Sequence, residues 1–371
     1  MERLSNKHII HLDGLRGIAI LMVLLLHHFT YTSLRHIFYF GFAGVDLFFV
    51  LSGFLISGIL LDTKHMKGYL KIFFVRRALR IMPLYFGVLV AFAFAAPYVN
   101  TFSWFNDYQI YFWTYTNNFL ILQEGFKLPL GHFWSLALEE QFYLVWPFFI
   151  LLFKPRYLVI CSVMLILFGL YLRLTIHRPL LTYGLPLAHL DGLLLGALAA
   201  IALRKRREWI YTNSRMMLSI TGALLAAFII VCLIKIPGSK RVLNACMYTV
   251  VSLFFAALLL HSLHSEKMKR ILSHQWLLFL GKYSYGIYVF NSIIIHVSNW
   301  VWGSQLTSIE TIILNVTLII PVLLISYLSY HLFEKHFLKL KPNYSIPDAE
   351  SRKITHNSDM YLQPIKSKLN T

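Results

Sequence analysis

The chain has 371 residues, of which 58% are hydrophobic, 16% aromatic and only 13% charged, and it carries a formal net charge of +18. Soluble domains carry roughly a quarter charged residues, so this composition excludes a soluble globular class and implies a multi-pass membrane protein. The positive charge falls in short clusters between apolar runs, as in Arg204-Lys205-Arg206-Arg207, which is the pattern of membrane loops and argues against a nucleic-acid partner.

A membrane-crossing helix needs about 20 apolar residues to cover about 30 Å of hydrocarbon. Applied along the chain, that template predicts an all-α, polytopic bundle of about ten transmembrane helices. They fall near 15–33, 43–61, 81–97, 134–153, 157–176, 186–203, 215–234, 244–263, 278–299 and 309–333. Basic residues precede the first run, but no small-residue cleavage site follows it, so it reads as a retained span. The stretch 100–130, crowded with Trp104, Tyr108, Tyr111, Trp113 and Tyr115, is too polar to span and suits an external loop or re-entrant segment.

With the amino terminus inside, about 25 Lys and Arg lie on the inner side and about 7 on the outer side. Both termini are therefore expected in the cytoplasm and the protein in the cell (inner) membrane. Most of the bias sits in the inner loops 62–80 and 204–215. Residues 1–335 form the integral-membrane domain, and 336–371 are a basic tail without apolar periodicity, expected to be poorly ordered. Cys161, Cys232 and Cys246 show no paired or ligand spacing, so no disulfide framework or metal site is indicated.

An ionisable group inside the bilayer costs several kcal/mol unless paired or hydrated, which makes each one a functional candidate. Arg16 and His27 are eleven residues apart, close to three whole turns, so one helix carries both on one face about 16 Å apart. A snorkelling arginine and a histidine bonded to a neighbouring carbonyl is the plainer reading of the same pair. Asp46 sits at the outer end of a span whose Ser52-Gly53 pair permits close helix approach. It either orients a histidine or caps its helix.

Arg77 and Arg80, beside Arg76, are helix neighbours whose guanidinium forks suit the phosphates of a cytoplasmic donor. An interfacial helix on anionic lipid headgroups would look the same. Ser135, Glu139 and Tyr143 follow at i, i+4 and i+8, giving a polar stripe at the outer end of a span. A buried Glu139 there could fix the tautomer of a histidine.

These residues carry a family likeness. LDGLRG with a histidine eleven after its arginine, then GVDLFFVLSGFLI, RRALRIMPLY, HFWSLALEEQFYLVWP, LDGLLLGALAA, GKYSYGIYVF and SYHLFEKHFLKLK occur in that order over about residues 8–341. Together they resemble the acyltransferase 3 family of integral-membrane O-acyltransferases. The resemblance implies transfer of an acyl group, acetyl in many members, from cytoplasmic acyl-CoA to a hydroxyl of an extracytoplasmic glycan, lipid or small molecule. Its Arg-x10-His motif matches Arg16 and His27, its Arg-x-x-Arg motif matches Arg77 and Arg80, and its SLxxE element matches Ser135 and Glu139. Two positions depart from it, with His189 where members often carry Arg and Asn291 where they often carry His.

The chemistry of the residues agrees in kind. Transfer to a hydroxyl needs a base, and His27 is the side chain best suited to it near neutral pH. Glu139 or Asp46 would orient His27, while Arg16, Arg76, Arg77 and Arg80 would hold acyl-CoA as the donor substrate, with no bound cofactor and no metal. An acyl-His27 intermediate is the competing route. The partners expected are acyl-CoA, a carbohydrate or lipid-linked acceptor, and membrane lipids. A multi-pass transporter using intramembrane Arg, His and Glu as a relay is the alternative, against which the absence of inverted-repeat symmetry weighs.

Overall fold

Long apolar runs can satisfy their backbone groups in hydrocarbon only as helix, and the protein is built from such runs. The computed structural model describes residues 9–30, 32–99, 102–120, 125, 128–176, 179–234, 239–302 and 306–341. Its principal helices are α1 (Ile10–Phe29), α2 (Ala43–Thr63), α3 (Tyr69–Ala95), α4 (Trp104–Trp113), α5 (Trp134–Leu152) and α6 (Pro155–Thr175). They continue with α7 (Asp191–Lys205), α8 (Arg207–Ile234), α9 (Lys240–His264), α10 (Gln275–Trp302) and α11 (Ser308–Ser329). A π-helical turn at Tyr330–Glu334 leads from α11 into the short α12, Lys335–Leu338.

Among the described residues there is no strand, and nine helices are long and apolar enough to cross a membrane. The exception among the ten expected spans is α7, with 15 residues. Residues 342–371 of the expected tail lie outside the described residues.

Two expected loops are helix instead. Tyr69–Ala95 is continuous over 27 residues, so Arg76, Arg77 and Arg80 ride on the opening turns of a span, not on a separate helix along the surface. Gly68, at φ 72°, supplies the left-handed turn that lets α3 begin so early. Pro83 sits inside α3 without ending it, and the Tyr285 hydroxyl donates to the neighbouring Ile81 carbonyl at 2.6 Å. In the same way α8 starts at Arg207, leaving only Arg206 between it and α7.

The aromatic stretch after α3 folds back along it. Trp104 and Phe105 pack against Phe92 with ring centroids 5.9 Å apart. Further along α4, Phe112 accepts a hydrogen bond from the Tyr85 hydroxyl through its main-chain carbonyl at 2.8 Å, and Tyr115 stacks on Tyr85 at 4.3 Å. From Phe92 to Tyr85 is about 10 Å along α3, so this segment re-enters the bundle. Residues 100, 101, 121–124, 126 and 127 of the expected 100–130 segment lie outside the described residues.

The centre of the bundle is set by two close helix pairs, α1 with α10 and α2 with α7. A Cβ placed on Gly53 would stand 1.9 Å from the Leu193 carbonyl oxygen, and one on Gly196 2.2 Å from that of Val50. Small residues here let backbones touch where lipid supplies no hydrophobic drive. Polar side-chain contacts hold both ends of this second pair. Asp46 Oδ1 meets His189 Nε2 at 3.4 Å just before α7, and at the other end Asp62 takes both forks of Arg204 at 2.9 and 2.8 Å.

Beside them Arg173 of α6 forms a bidentate pair with Asp191 at 2.6 and 3.0 Å, and it also donates to Thr249 and to the Ala188 and Ala245 carbonyls. That buried cation is fully bonded, which is the condition under which burying it is tolerable.

Substituting Gly53 by Ala forces α2 and α7 apart. We expect a loss of about 1–3 kcal/mol, visible as a lower thermal unfolding midpoint in detergent. Gly222→Ala meets only Phe254 at an ordinary 3.8 Å and should not lower the midpoint.

Candidate active site

Two helices deliver three arginines to one place. Arg16 comes from the second turn of α1, and Arg77 and Arg80 come from α3. All three line a cavity of about 100 Å³ whose other polar walls include Ser52 of α2, Ser135 and Glu139 of α5, and Ser284 and Tyr288 of α10. Arg16 is paired with Asp13 at 2.6 Å. The Arg77 guanidinium lies over the Tyr143 ring, 4.0 Å from its centroid, a cation–π contact that shelters the charge. Glu139 is buried beside Ser52 and Tyr143 and faces Arg77 and Arg16. Three guanidiniums share the cavity with one carboxylate, so its field favours an anion.

Arg76 is exposed and does not line the cavity. A further cation, absent from the sequence reading, approaches from the far end of the chain. Lys341 follows α12, outside the spans, where burial first, then repulsion from Arg80, Arg77, Arg76 and Arg16, pushes its ammonium down to about 7. Its position four decades of numbering beyond α10 gave no sequence signal, because only the packing of α12 on α3 brings it there.

His27 stands away from this cavity, and Tyr288 stands between. The Tyr288 hydroxyl donates to the His132 main-chain carbonyl, so its contact with Ser135 Oγ at 2.6 Å must be one in which the serine donates. Both hydroxyl hydrogens are thereby engaged within the protein. Beyond Tyr288 the His132 ring lies edge-on to His27 with centroids 6.3 Å apart. The sequence reading did not single out Tyr288, although a spacing of four residues puts it on one helix face with Ser284.

The structure thus brings Arg16, Arg77, Arg80 and Glu139 together and keeps His27 and Asp46 apart from them. The two carboxylates expected to orient His27 have other partners. Glu139 faces the arginines. Asp46, 1% exposed, pairs with His189, which is boxed by the rings of Phe49, Trp134, Tyr183 and Tyr248. The side chain at His27 Nδ1 is the Asn291 amide, at 3.1 Å.

An arginine-lined cavity and a histidine on one helix is an arrangement that can be compared with known proteins. The family model described as an acyltransferase domain, acyltransferase 3, matches residues 9–331. The chain belongs to this acyltransferase family. Over 341 residues it is 29% identical to the O-acetyltransferase OatA of Staphylococcus aureus, covering 81% of this chain and 53% of that protein. It is 28% identical over 365 residues to the putative peptidoglycan O-acetyltransferase YrhL of Bacillus subtilis, covering 89% and 55%. With the peptidoglycan O-acetyltransferase OatA of Listeria monocytogenes it shares 34% identity over 171 residues, 41% of this chain and 25% of that one. The chain spans about half the length or less of these curated relatives. No solved structure matches it.

Because Lys341 titrates near 7 while arginines stay charged, an anion bound at the cluster should be held more weakly as pH rises from 6 to 8. With sulfate as the probe, whose charge is constant over this range, we expect a decline of roughly fivefold, on the order of 1 kcal/mol for one charge. Lys341→Met should flatten that dependence in a calorimetric titration.

Proposed function

We propose that this protein is a membrane O-acetyltransferase that takes an acetyl group from acyl-CoA on the cytoplasmic side and places it on a hydroxyl of an extracytoplasmic glycan. The observation that carries this reading is the division of labour along α1. Its Arg16 end opens into a cavity with three guanidiniums, and its other end presents a partly exposed histidine. The names of the Staphylococcus and Bacillus relatives support the acetyl group and a cell-wall glycan as acceptor. The charge asymmetry of the loops supports the arginine end as the cytoplasmic one.

On this reading the phosphates of the donor rest on Arg77 and Arg80, with Arg76 and Lys341 at the rim, and Arg16 lies deeper. The thioester reaches the head of the cavity at Ser135 and Tyr288. Tyr288 and His132 stand between it and His27, so transfer requires the Tyr288 side chain to release the His132 carbonyl and turn aside. His27 Nε2 then takes the acceptor's hydroxyl proton as the oxygen attacks the thioester carbonyl. Negative charge on that carbonyl is met by a guanidinium, the carbon–sulfur bond breaks, and the imidazolium returns the proton to the departing thiolate.

The test is transfer of labelled acetyl from acetyl-CoA to a soluble N-acetylglucosamine oligosaccharide by the purified protein in lipid nanodiscs. His27→Ala should lower kcat by about 10²–10⁴-fold. Arg77→Lys should act on the KM for acetyl-CoA, raising it about tenfold, because a point charge cannot replace a bidentate fork. Full activity in His27→Ala would sink the assignment of the base, and unchanged KM in Arg77→Lys the assignment of the donor site.

A further inference from the structure

At the His27 end of α1 two successive histidines meet one amide. His28 is fully buried, and its Nδ1 lies 2.6 Å from the Asn315 main-chain carbonyl of α11. A carbonyl only accepts, so Nδ1 carries the proton and His28 Nε2 is left with a lone pair. The Asn291 side chain of α10, also fully buried, lies against His28 and against His27 Nδ1.

The two orientations of an amide are nearly isosteric, and the hydrogen-bond network decides between them. With the Asn291 nitrogen toward His27, Asn291 Oδ1 and His28 Nε2 both stay buried without a partner. Turned by 180°, the amide satisfies both. Its Nδ2 donates to His28 Nε2, and its Oδ1 accepts from His27 Nδ1–H. The second arrangement leaves fewer buried polar atoms unpaired and is the favoured one.

We propose that Asn291 is a positioning residue that sets the tautomer of His27: a chain of hydrogen bonds from the Asn315 carbonyl through His28 and Asn291 holds the proton of neutral His27 on Nδ1 and leaves Nε2 as the free base. This rests on the reading of His27 as the base and deepens it. During transfer the hydroxyl proton moves to Nε2, giving an imidazolium with a proton on each nitrogen, while Asn291 Oδ1 keeps hold of Nδ1–H. When the carbon–sulfur bond breaks, the Nε2 proton passes to sulfur and the starting tautomer returns.

The titratable groups facing His27 are His28 on its own helix, His296 on α10, and His132 before α5. The orienting group is therefore an uncharged amide in a neighbourhood of imidazoles. A carboxylate in that place would orient the ring equally well, but it would also stabilise the imidazolium and slow return of the proton to the thiolate.

The same nanodisc assay tests this with kcat, KM and a pH profile for three variants. Asn291→Leu should lower kcat roughly 30- to 100-fold, within the range a general base contributes, with the KM for acetyl-CoA changed less than twofold. Asn291→Asp, nearly isosteric, keeps the ring oriented but adds charge, so the rising limb of its pH–rate profile should move up by about one pH unit. Wild-type kcat in Asn291→Leu, or an unmoved profile in Asn291→Asp, overturns the relay. His27→Ala separates the two readings. If it is inactive while both Asn291 variants behave as wild type, only the relay fails, whereas an active His27→Ala removes the base on which the relay depends.

Discussion

Positive charge gathered between packed apolar helices is the constraint around which this bundle is arranged. A guanidinium there costs several kcal/mol unless something answers it, and the three in the cavity are answered unequally. Arg16 has Asp13, and Arg77 has Glu139 and the face of Tyr143. Arg80 faces Arg16 and Arg77 across the cavity, with Asp13 and Glu334 as its nearby carboxylates. Glu139 is the one carboxylate that lines the cavity with them, while Asp13, Glu140 and Glu334 stand around its edge, an arrangement that the fold maintains by keeping α3 unbroken past Pro83 and α1 pressed on α10. Stability alone would favour removing such a charge or pairing it. Its retention in a cavity reads as a place kept for a negatively charged ligand.

Contrast the other buried cation. Arg173 spends every donor on Asp191, Thr249 and two carbonyls. The two arginines differ little as residues within apolar sequence. What separates a structural charge from a functional one is whether its partners are all supplied by the protein, and that is a property of packing.

This is also where reading the sequence stopped short. The all-helical membrane architecture was legible because hydrocarbon length and apolar composition decide it locally, and Arg16 and His27 could be put on one face because helical periodicity is rigid. Partner choice was not legible. Asp46 and Glu139 were both candidates to orient His27 by residue type, yet Asp46 takes His189 from a segment 143 residues away, and His27 takes an amide. The continuity of α3 was hidden by a run of arginines that resembles a loop, because charge near a membrane surface is compatible with either state. Lys341 sat in what composition reads as tail.

The shortness of α7 bears on how the protein is made. Fifteen residues cover about 22 Å, less than the roughly 30 Å of hydrocarbon, and its sequence opens on an aspartate and closes on Arg204 and Lys205. Released alone from the translocation machinery, such a segment has little reason to stay in lipid. It need not be alone, because α2 is synthesised well before it and already presents the Gly53 groove, with Asp46 and Asp62 at either end for His189 and Arg204. On that view α7 enters the bilayer as the guest of an earlier helix, and the order of synthesis becomes one of the determinants of the finished fold.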